Sequence, residues 1–340
     1  MTQIESLVNP PRLTADSVLD YLAEKGVVRK HSASVETVEG GVSSDVFFVE
    51  SPGGSWVVKQ ALTRLKVAQV WEASPARILT EAAALRLAGR LTPGSVPPVA
   101  LVDADRFVLV EERAPRRFGD WRTELLSGGT ERSVQTAARL GEVLAALHCL
   151  TFGDVALCRN FGDTESFIAL RIDPFHKTVA EHLPDLAERL RELADQLIGC
   201  RVCLVHGDFS PKNVLADGAD LWVIDWEVAR VGNPVFDVAF LLAHLLCKTT
   251  HAPQSAERYR DCAQRFLTSY NNHIRGELRP DPSGLIQHTA AVVLARTDGK
   301  SPAAYLSSAQ RDSARRAAVG WLTQPFTGAE VIPQLWRDFL

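Results

Sequence analysis

The first third of the chain alternates hydrophobic and polar residues at the period of β-strands. This pattern predicts strands at 34–38, 45–50, 55–59, 97–102 and 106–112, and Ser51-Pro52-Gly53-Gly54 is typical of a hairpin turn. Thr14 is suited to cap a first helix that ends at Gly26. A stretch rich in Ala and Leu predicts a second helix at 76–90, among the strands.

Helical spacing replaces this alternation after Glu112. The polar stretch 113–117 contains a proline and predicts a linker. Beyond it, apolar stripes predict helices at 133–148, 184–198, 234–248, 254–274, 282–296 and 307–321. The sequence therefore predicts an α+β, bilobal chain. Residues 1–113 would form a mostly β lobe with one helix among its strands, and residues 114–340 a larger, mostly α lobe.

Composition restricts the class of protein further. The 340 residues are 46% hydrophobic and 23% charged, as in ordinary globular proteins, and the net charge is −4. Such a charge favours neither a nucleic acid nor an acidic membrane surface as partner. No apolar run approaches the roughly 18 residues of a membrane span, and the N-terminus lacks the pattern of a signal peptide. We expect a cytoplasmic monomer or homodimer.

Candidate chemistry centres on the stretch from His206 to Asn213, which has the form H-G-D-x-x-x-x-N and follows a short apolar strand. A second apolar strand, 221–224, ends at Asp225. Phosphoryl transfer needs one carboxylate that orients the acceptor hydroxyl, and an Asn and a second carboxylate that hold magnesium against the phosphates. Asp208 is therefore the candidate catalytic residue, and Asn213 and Asp225 are the candidate metal ligands. A turn-forming Asp is the simpler interpretation of Asp208 alone.

Two further segments provide candidate nucleotide-binding residues. Lys59 ends a predicted strand and Glu81 lies on the following helix, as in the Lys–Glu ion pair of kinases. An exposed lysine, and a surface pair of Arg77 with Glu81, are the alternatives. Ser43 and Ser44 follow two glycines, whose loop could approach phosphates closely or form a simple turn.

The motif resembles those of the aminoglycoside phosphotransferase and choline kinase superfamily of small-molecule kinases, with Gly207 where protein kinases have Arg and D-W-E in place of D-F-G. The resemblance covers roughly residues 35 to 245. Lys59-Gln60-Ala61-Leu62, Trp71 and the stretch 77–81 resemble methylthioribose kinase relatives more than choline kinases, although the former have D-P-E rather than D-W-E. The resemblance implies a protein-kinase-like fold, ATP or GTP, Mg²⁺ and a small hydroxylated acceptor, such as a sugar, an amino alcohol or an aminoglycoside-like compound.

Three residues are candidates for contacts with that acceptor. Glu227 would share a face with Asp225 if the strand continued, and otherwise would be a solvated loop acid. Arg296 and Lys300 lie in a polar stretch between two predicted helices, which a plain loop also explains. Two other functions stay open: a catalytically degenerate member that binds a nucleotide or metabolite, and a protein kinase. The H-G-D loop has Gly207 in place of the Arg of the latter's R-D pair, and the chain lacks its D-F-G and A-P-E segments.

Overall fold

A computed structural model describes residues 10–29, 32–38, 43–66, 71–324, 326, 330–337 and 339. The chain divides into two compact units. The first comprises Met1–Leu87 and Pro97–Ala114, and the second comprises Ala88–Val96 and Pro115–Leu340.

The first unit is built on one antiparallel sheet of five strands. In spatial order β1-β2-β3-β5-β4 these are Ser34–Val38, Ser44–Ser51, Gly54–Ala61, Val108–Glu112 and Val99–Asp103. Ser51 pairs with Gly54, so the predicted hairpin joins β2 to β3. Strand β5 returns between β3 and β4, which places Lys59 in the middle strand, opposite Val46 on one side and Leu109 on the other.

Two helices accompany this sheet: α1, Ala15–Glu24, and α2, Arg77–Leu91, whose last residues belong to the second unit. Thr14 caps α1 through a reciprocal pair of hydrogen bonds with Ser17, as its position predicted. The apolar face of α1 packs on alternate residues of three strands, among them Phe47, Val58 and Val110. This packing forms one hydrophobic core on one face of the sheet.

The second unit is mostly helical. Its helices α3 to α13 are Trp121–Leu126, Glu131–Thr151, Cys158–Phe161, Glu165–Phe167, Thr178–His182, Ala187–Gly199, Val235–His251, Ala256–His273, Pro282–Asp298, Ser308–Thr323 and Val331–Arg337. A π-helical segment, Ile168–Lys177, lies between α6 and α7. The long predicted helices are confirmed, whereas α3, α13 and the segments from α5 to α7 were not predicted from the sequence.

Helix α9 is the centre of this unit, and its residues from Val235 to Thr250 are all buried. Helix α11 packs against it, and α10 packs against both α9 and α4. The α4–α10 contact requires a glycine, because a Cβ atom at Gly141 would lie 2.5 Å from the carbonyl oxygen of Phe266. Among the described residues no single helix is long and apolar enough to cross a membrane. One bent pair, Glu131–Thr151 with Val155–Phe161, meets that criterion by length and composition only.

Two small sheets carry the loop with the H-G-D motif. Strand β7, Cys203–Val205, pairs with β10, Arg230–Gly232. Strand β8, Val214–Ala216, lies between β6, Gly119–Asp120, and β9, Leu221–Val223. The motif therefore runs from the end of β7 to the start of β8, so both of its ends are held by strands.

Candidate active site

Lys59 lies within a buried acidic environment in the first unit. Its Nζ atom is 2.6 Å from Oε1 of Glu81 and 2.9 Å from Oε1 of Glu111. Both carboxylates are almost wholly buried, and the Lys59 side chain is 12% exposed. The ion pair with Glu81 is therefore formed, whereas Glu111, on the neighbouring strand β5, was not identified from the sequence. Whether Lys59 and Glu81 serve a nucleotide stays a prediction.

Ser43 and Ser44 are fixed through their backbone. The carbonyl oxygen of Ser43 accepts hydrogen bonds from the amide of Leu62 and from the guanidinium of Arg77. Ser44 is the first residue of β2 and is buried. The two glycines before them, at 40 and 41, lie outside the described residues, so the predicted phosphate loop stays a prediction.

The H-G-D loop in the second unit is held by Asp237, near the start of α9. One carboxylate oxygen of Asp237 accepts the amide of His206 at 2.7 Å, and the other accepts the amide of Gly207 at 2.9 Å. The Asp237 side chain is fully buried. Asp237 lies in the first turn of the helix, where the helix dipole stabilises an acid. The structure adds that Asp237 satisfies two backbone donors of the loop, which orients the peptide leading into Asp208.

His206 fixes the same loop from the other side. The amide of Asp208 donates to Nδ1 of His206 at 3.1 Å, so Nδ1 is an acceptor and the proton resides on Nε2. Nε2 then donates to the carbonyl oxygen of Ile224 at 3.0 Å. Burial lowers the pKa of His206, which keeps the ring neutral, although nearby acids act in the opposite direction. His206 therefore joins the loop to the segment that carries Asp225.

Asp208 is surrounded by donors. Its Oδ2 atom lies 2.8 Å from Lys212 Nζ and 3.0 Å from Arg171 Nη2, and it accepts a hydrogen bond from Asn213 Nδ2 at 2.9 Å. The side chain is 6% exposed. Burial would raise the pKa of Asp208, but the positive charges of Arg171 and Lys212 outweigh that effect and hold the pKa below its ordinary value. Asp208 is therefore ionised and a weak base.

Asn213 and Asp225 lie at the same end of the β8–β9 hairpin. Val214 pairs with Val223, and the amide of Ile224 donates to the carbonyl oxygen of Asn213 at 2.9 Å. Asn213 uses its Nδ2 group on Asp208, and its Oδ1 atom has no hydrogen-bond donor among the described residues. Asp225 is 28% exposed. One amide oxygen and one accessible carboxylate are ligands that magnesium prefers, so these residues fit the predicted metal.

The backbone at Asp225 ends the strand on which the predicted position of Glu227 depended. Strand β9 ends at Val223, and Asp225 has a φ of 67°, a conformation that no strand contains. The alternation of faces therefore does not extend to Glu227, which is buried in a turn rather than solvated. A contact of Glu227 with substrate stays a prediction.

Arg296 and Lys300 are separated by the end of α11. Arg296 is in the last turn of that helix, and its Nη1 group donates to the carbonyl oxygen of Ser301. Lys300 follows in the connector, where its amide donates to Pro174 and its side chain is exposed. Arg296 is thus partly buried and Lys300 is exposed, and their contacts with substrate stay predictions.

Arg171 is the residue of this site that the sequence did not identify. It lies in the π-helical segment, is 8% exposed, and donates from Nε to the carbonyl oxygen of Gly207 at 2.6 Å as well as contacting Asp208. The structure therefore brings together Asp208, Asn213 and Asp225 in the second unit, with Arg171 and Lys212. Lys59, Glu81, Ser43 and Ser44 belong to the first unit.

Comparison with known proteins identifies two curated relatives of this chain. A methylthioribose kinase of Bacillus cereus is 26% identical over 266 residues, which are 69% of this chain and 66% of that protein. A probable acyl-CoA dehydrogenase of Arabidopsis thaliana is 25% identical over 228 residues, 61% of this chain but 27% of that protein. The chain thus spans less than two thirds of the length of either curated relative.

A solved structure and a family model complete the comparison. A choline/ethanolamine kinase family protein from Mesorhizobium loti is 17% identical and has a TM-score of 0.54 over 95% of this chain and 98% of that one, which confirms the predicted α+β, protein-kinase-like fold. The model described as the phosphotransferase enzyme family matches residues 34–266, which include every candidate residue from Ser43 to Glu227. Because this match covers more than half of the chain, the protein belongs to the phosphotransferase enzyme family, as its H-G-D motif indicated.

Proposed function

We propose that this protein is a small-molecule kinase, which transfers the γ-phosphoryl group of ATP or GTP to a hydroxyl of a small acceptor. The observation that carries the proposal is the environment of Asp208: a buried, ionised carboxylate held by Arg171, Lys212 and Asn213. A turn-forming aspartate would need no such set of donors, because its side chain would bond to the local backbone instead.

In the proposed reaction, Asp208 accepts a hydrogen bond from the acceptor hydroxyl and orients its oxygen towards the γ-phosphorus. A bond forms between that oxygen and phosphorus while the bond to the β–γ bridging oxygen breaks, and the bridging oxygen keeps the electron pair. The hydroxyl proton passes to Asp208 late, because the transition state is loose. The lowered pKa of Asp208 suits this order, since a weak base holds the hydroxyl without ionising it early.

The proposed magnesium ligands are Asn213, through Oδ1, and Asp225. When bound, magnesium would neutralise the negative charge of the phosphates. Lys212 lies 3.7 Å from Asp225 and is 45% exposed, so its ammonium can add positive charge beside the transferred group. In the first unit, Lys59 would contact the α- and β-phosphates, with Glu81 and Glu111 fixing its position.

The experiment is nucleotide-dependent phosphorylation of a panel of methylthioribose, choline, homoserine and aminoglycosides, with ATP and GTP as donors. Asp208→Asn is expected to lower turnover about 10²- to 10⁴-fold, the usual contribution of a group that accepts a proton. Asp220→Asn, on the exposed turn of the β8–β9 hairpin, is the matched control and should retain activity. Equal turnover by wild type and Asp208→Asn would contradict the proposal.

A member that binds nucleotide or metabolite without turnover is the second candidate. It predicts binding of ATP with magnesium, no product from any acceptor, and no effect of Asp208→Asn on binding. The presence of Asp208, Asn213 and Asp225 together favours the kinase, because a binding protein has no use for a carboxylate against an acceptor hydroxyl. Phosphorylation of a generic protein substrate would instead favour the protein kinase.

The remaining proposals concern the location of the protein, its oligomeric state and its partner. We propose a cytoplasmic monomer or homodimer whose partner is a small hydroxylated molecule rather than a nucleic acid or a membrane. Cell fractionation and light scattering of the purified protein test the location and the oligomeric state.

A further inference from the structure

Two buried basic side chains lie one turn apart on α9 with no polar partner. His244 is 9% exposed and Lys248 is 1% exposed, and among the described residues neither has a hydrogen bond or an ion pair. Each contacts an aromatic ring instead: His244 stacks on Phe240 with ring centroids 5.1 Å apart, and Lys248 Nζ is 5.7 Å from the ring centroid of Tyr305. Residues four apart are neighbours on a helix, so both side chains face one region.

Two more donors without partners belong to the same region. The Nε atom of Arg296, on the adjacent helix α11, is buried and has no hydrogen-bond partner in the described part of the chain. The same is true of the hydroxyl of Tyr305, which follows α11 and contacts Lys248. Arg296 Nε and the Tyr305 hydroxyl are therefore two buried polar groups without partners beside the cation of Lys248, whereas buried polar groups normally find partners.

The charges of this cluster act on one another. The pKa of His244 is lowered by burial first, and then by the positive charges of Arg296 and Lys248. Burial likewise lowers the pKa of Lys248 to about 8, and Arg296 contributes in the same direction. The negative charge of Asp208 acts on His244 in the opposite sense, so the cluster is electrostatically coupled to the H-G-D loop.

No carboxylate of the described chain forms an ion pair with Lys248 or Arg296. Asp120 acts on Lys248 more weakly than Arg296 does, and its carboxylate is already used: it caps α3 by accepting the amide of Arg122 at 2.9 Å. Phe240 links the cluster to the surroundings of Asp208 by contacts on two sides. Its ring centroid is 5.8 Å from Cζ of Arg171, which contacts Asp208, and 5.1 Å from the ring of His244.

We propose that His244, Lys248, Arg296 and Tyr305 form a subsite for the carboxylate of the acceptor, so that the substrate is a small hydroxy acid. The inference rests on the proposed kinase function and names its acceptor class. A carboxylate would accept hydrogen bonds from the four donors and compensate their charge. The hydroxyl at the other end of the molecule would then meet Asp208. A cationic acceptor would instead face positive charges and is rejected.

The test compares matched acceptors that differ in charge. Glycolate and the hydroxypropanoate, hydroxybutanoate and hydroxypentanoate with a terminal hydroxyl are assayed beside their amides and the corresponding amino alcohols. We expect phosphorylation of one or two acids of fitting length, with a KM at least about tenfold below that of the amide, as for a hydrogen bond to a charged group. Equal or better turnover of the amides or amino alcohols overturns the inference but leaves the kinase standing.

A variant then assigns the effect to the cluster. Lys248→Met removes the charge and keeps the length of the side chain, and it should raise the KM for the acid about tenfold and the KM for the amide clearly less. Its melting temperature should be equal or higher, because it removes a buried cation without a partner. Lys177→Met, at an exposed position, is the control. An unchanged preference for acids in Lys248→Met contradicts the subsite.

Direct binding separates this inference from the proposed function. If no compound of either series is phosphorylated, calorimetry with the same hydroxy acids still shows whether the cluster binds a carboxylate. Binding by wild type that weakens about tenfold in Lys248→Met supports the subsite, while the kinase proposal is decided separately by the acceptor panel and Asp208→Asn. Absence of binding, or equal binding by both proteins, overturns the subsite.

Discussion

Arg171 contacts two successive residues of the H-G-D loop. Its Nε group donates to the carbonyl oxygen of Gly207 at 2.6 Å, and Nη2 lies 3.0 Å from the carboxylate of Asp208. The guanidinium is planar and presents its donors in a fixed arrangement, so these two contacts fix the position of the carboxylate relative to its own backbone. Arg171 thereby acts on both the position and the charge of Asp208.

Arg171→Gln should lower kcat about a hundredfold, the effect of misplacing a reacting group by about 1 Å. It should also shift the acidic limb of the pH–rate profile to higher pH. Asp208 must be ionised to act. Its pKa is held low by Arg171 and Lys212 against burial, so removing Arg171 raises the pKa. Activity is then lost at a higher pH as the solution is acidified.

The pH dependence of kcat/KM distinguishes this role from simple support of the fold. Arg139→Gln, which removes an exposed arginine paired with Glu142 on α4, serves as the control. If kcat/KM of Arg171→Gln falls by the same factor at every pH, so that the acidic limb stays at the wild-type pH, an electrostatic action on Asp208 is excluded.

Asp237→Asn should destabilise the second unit by about 1–3 kcal/mol, because the amide nitrogen of Asn cannot accept one of the two backbone amides, which stays buried without a partner. Activity should fall as well, since those amides belong to His206 and Gly207. Urea unfolding and turnover are measured in parallel. Asp281→Asn is the control, because Asn and Asp cap the exposed start of α11 equally well. Similar losses in both variants would refute the role given to Asp237.

Gly207 has a φ of 77°, and a Cβ atom there would lie 2.7 Å from the carbonyl oxygen of Val228. Gly207→Ala therefore combines backbone strain with a collision against the backbone beside β10. Gly153 has a φ of 70° with no atom within 4 Å of an added Cβ, so Gly153→Ala carries the strain alone, about 1–2 kcal/mol. We expect Gly207→Ala to unfold at clearly lower urea concentration than Gly153→Ala and to lose activity. Equal urea midpoints of the two variants would show that the loop accommodates the added methyl group and that no collision with Val228 occurs.

The sequence predicted the parts of the site that have a fixed spacing. Asp208 and Asn213 are recognisable because the loop is short and lies between strands, and Asp225 because an apolar strand leads to it. The period of the hydrophobic pattern similarly predicted the strands of the first unit and the long helices of the second. Each of these is a local regularity, so a single stretch of sequence contains it.

No local regularity of the sequence identified Arg171 as a residue of the site. It lies in a π-helical segment that contains Pro174, and π-helical spacing does not match the period used to recognise helices. Glu111 and Tyr305 act through contacts between distant segments, which periodicity does not report. Glu227 was misplaced because Asp225 adopts a positive φ that ends the strand geometry, a feature of the loop that its composition does not reveal.

Substitutions at Lys59 and its two acidic partners separate the proposed contact with the nucleotide from the contribution of the ion pair to stability. Lys59→Met removes the ammonium between Glu81 and Glu111 and should destabilise the first unit by about 3–5 kcal/mol, the cost of breaking a buried ion pair. The triple variant Lys59→Met/Glu81→Gln/Glu111→Gln removes the charges together and should recover most of that loss. The loss and its recovery are measured by urea unfolding, followed by the fluorescence of tryptophans that include Trp56 on the same strand.

Activity should respond differently, because phosphate contacts need the positive charge itself. The triple variant should stay at the low turnover of Lys59→Met and show a raised KM for ATP, although it is stable. Lys59→Arg keeps the charge but presents it as a planar fork, so it should be stable and only partly active. Recovery of turnover in the triple variant would mean that Lys59 stabilises the sheet and takes no part in binding the nucleotide.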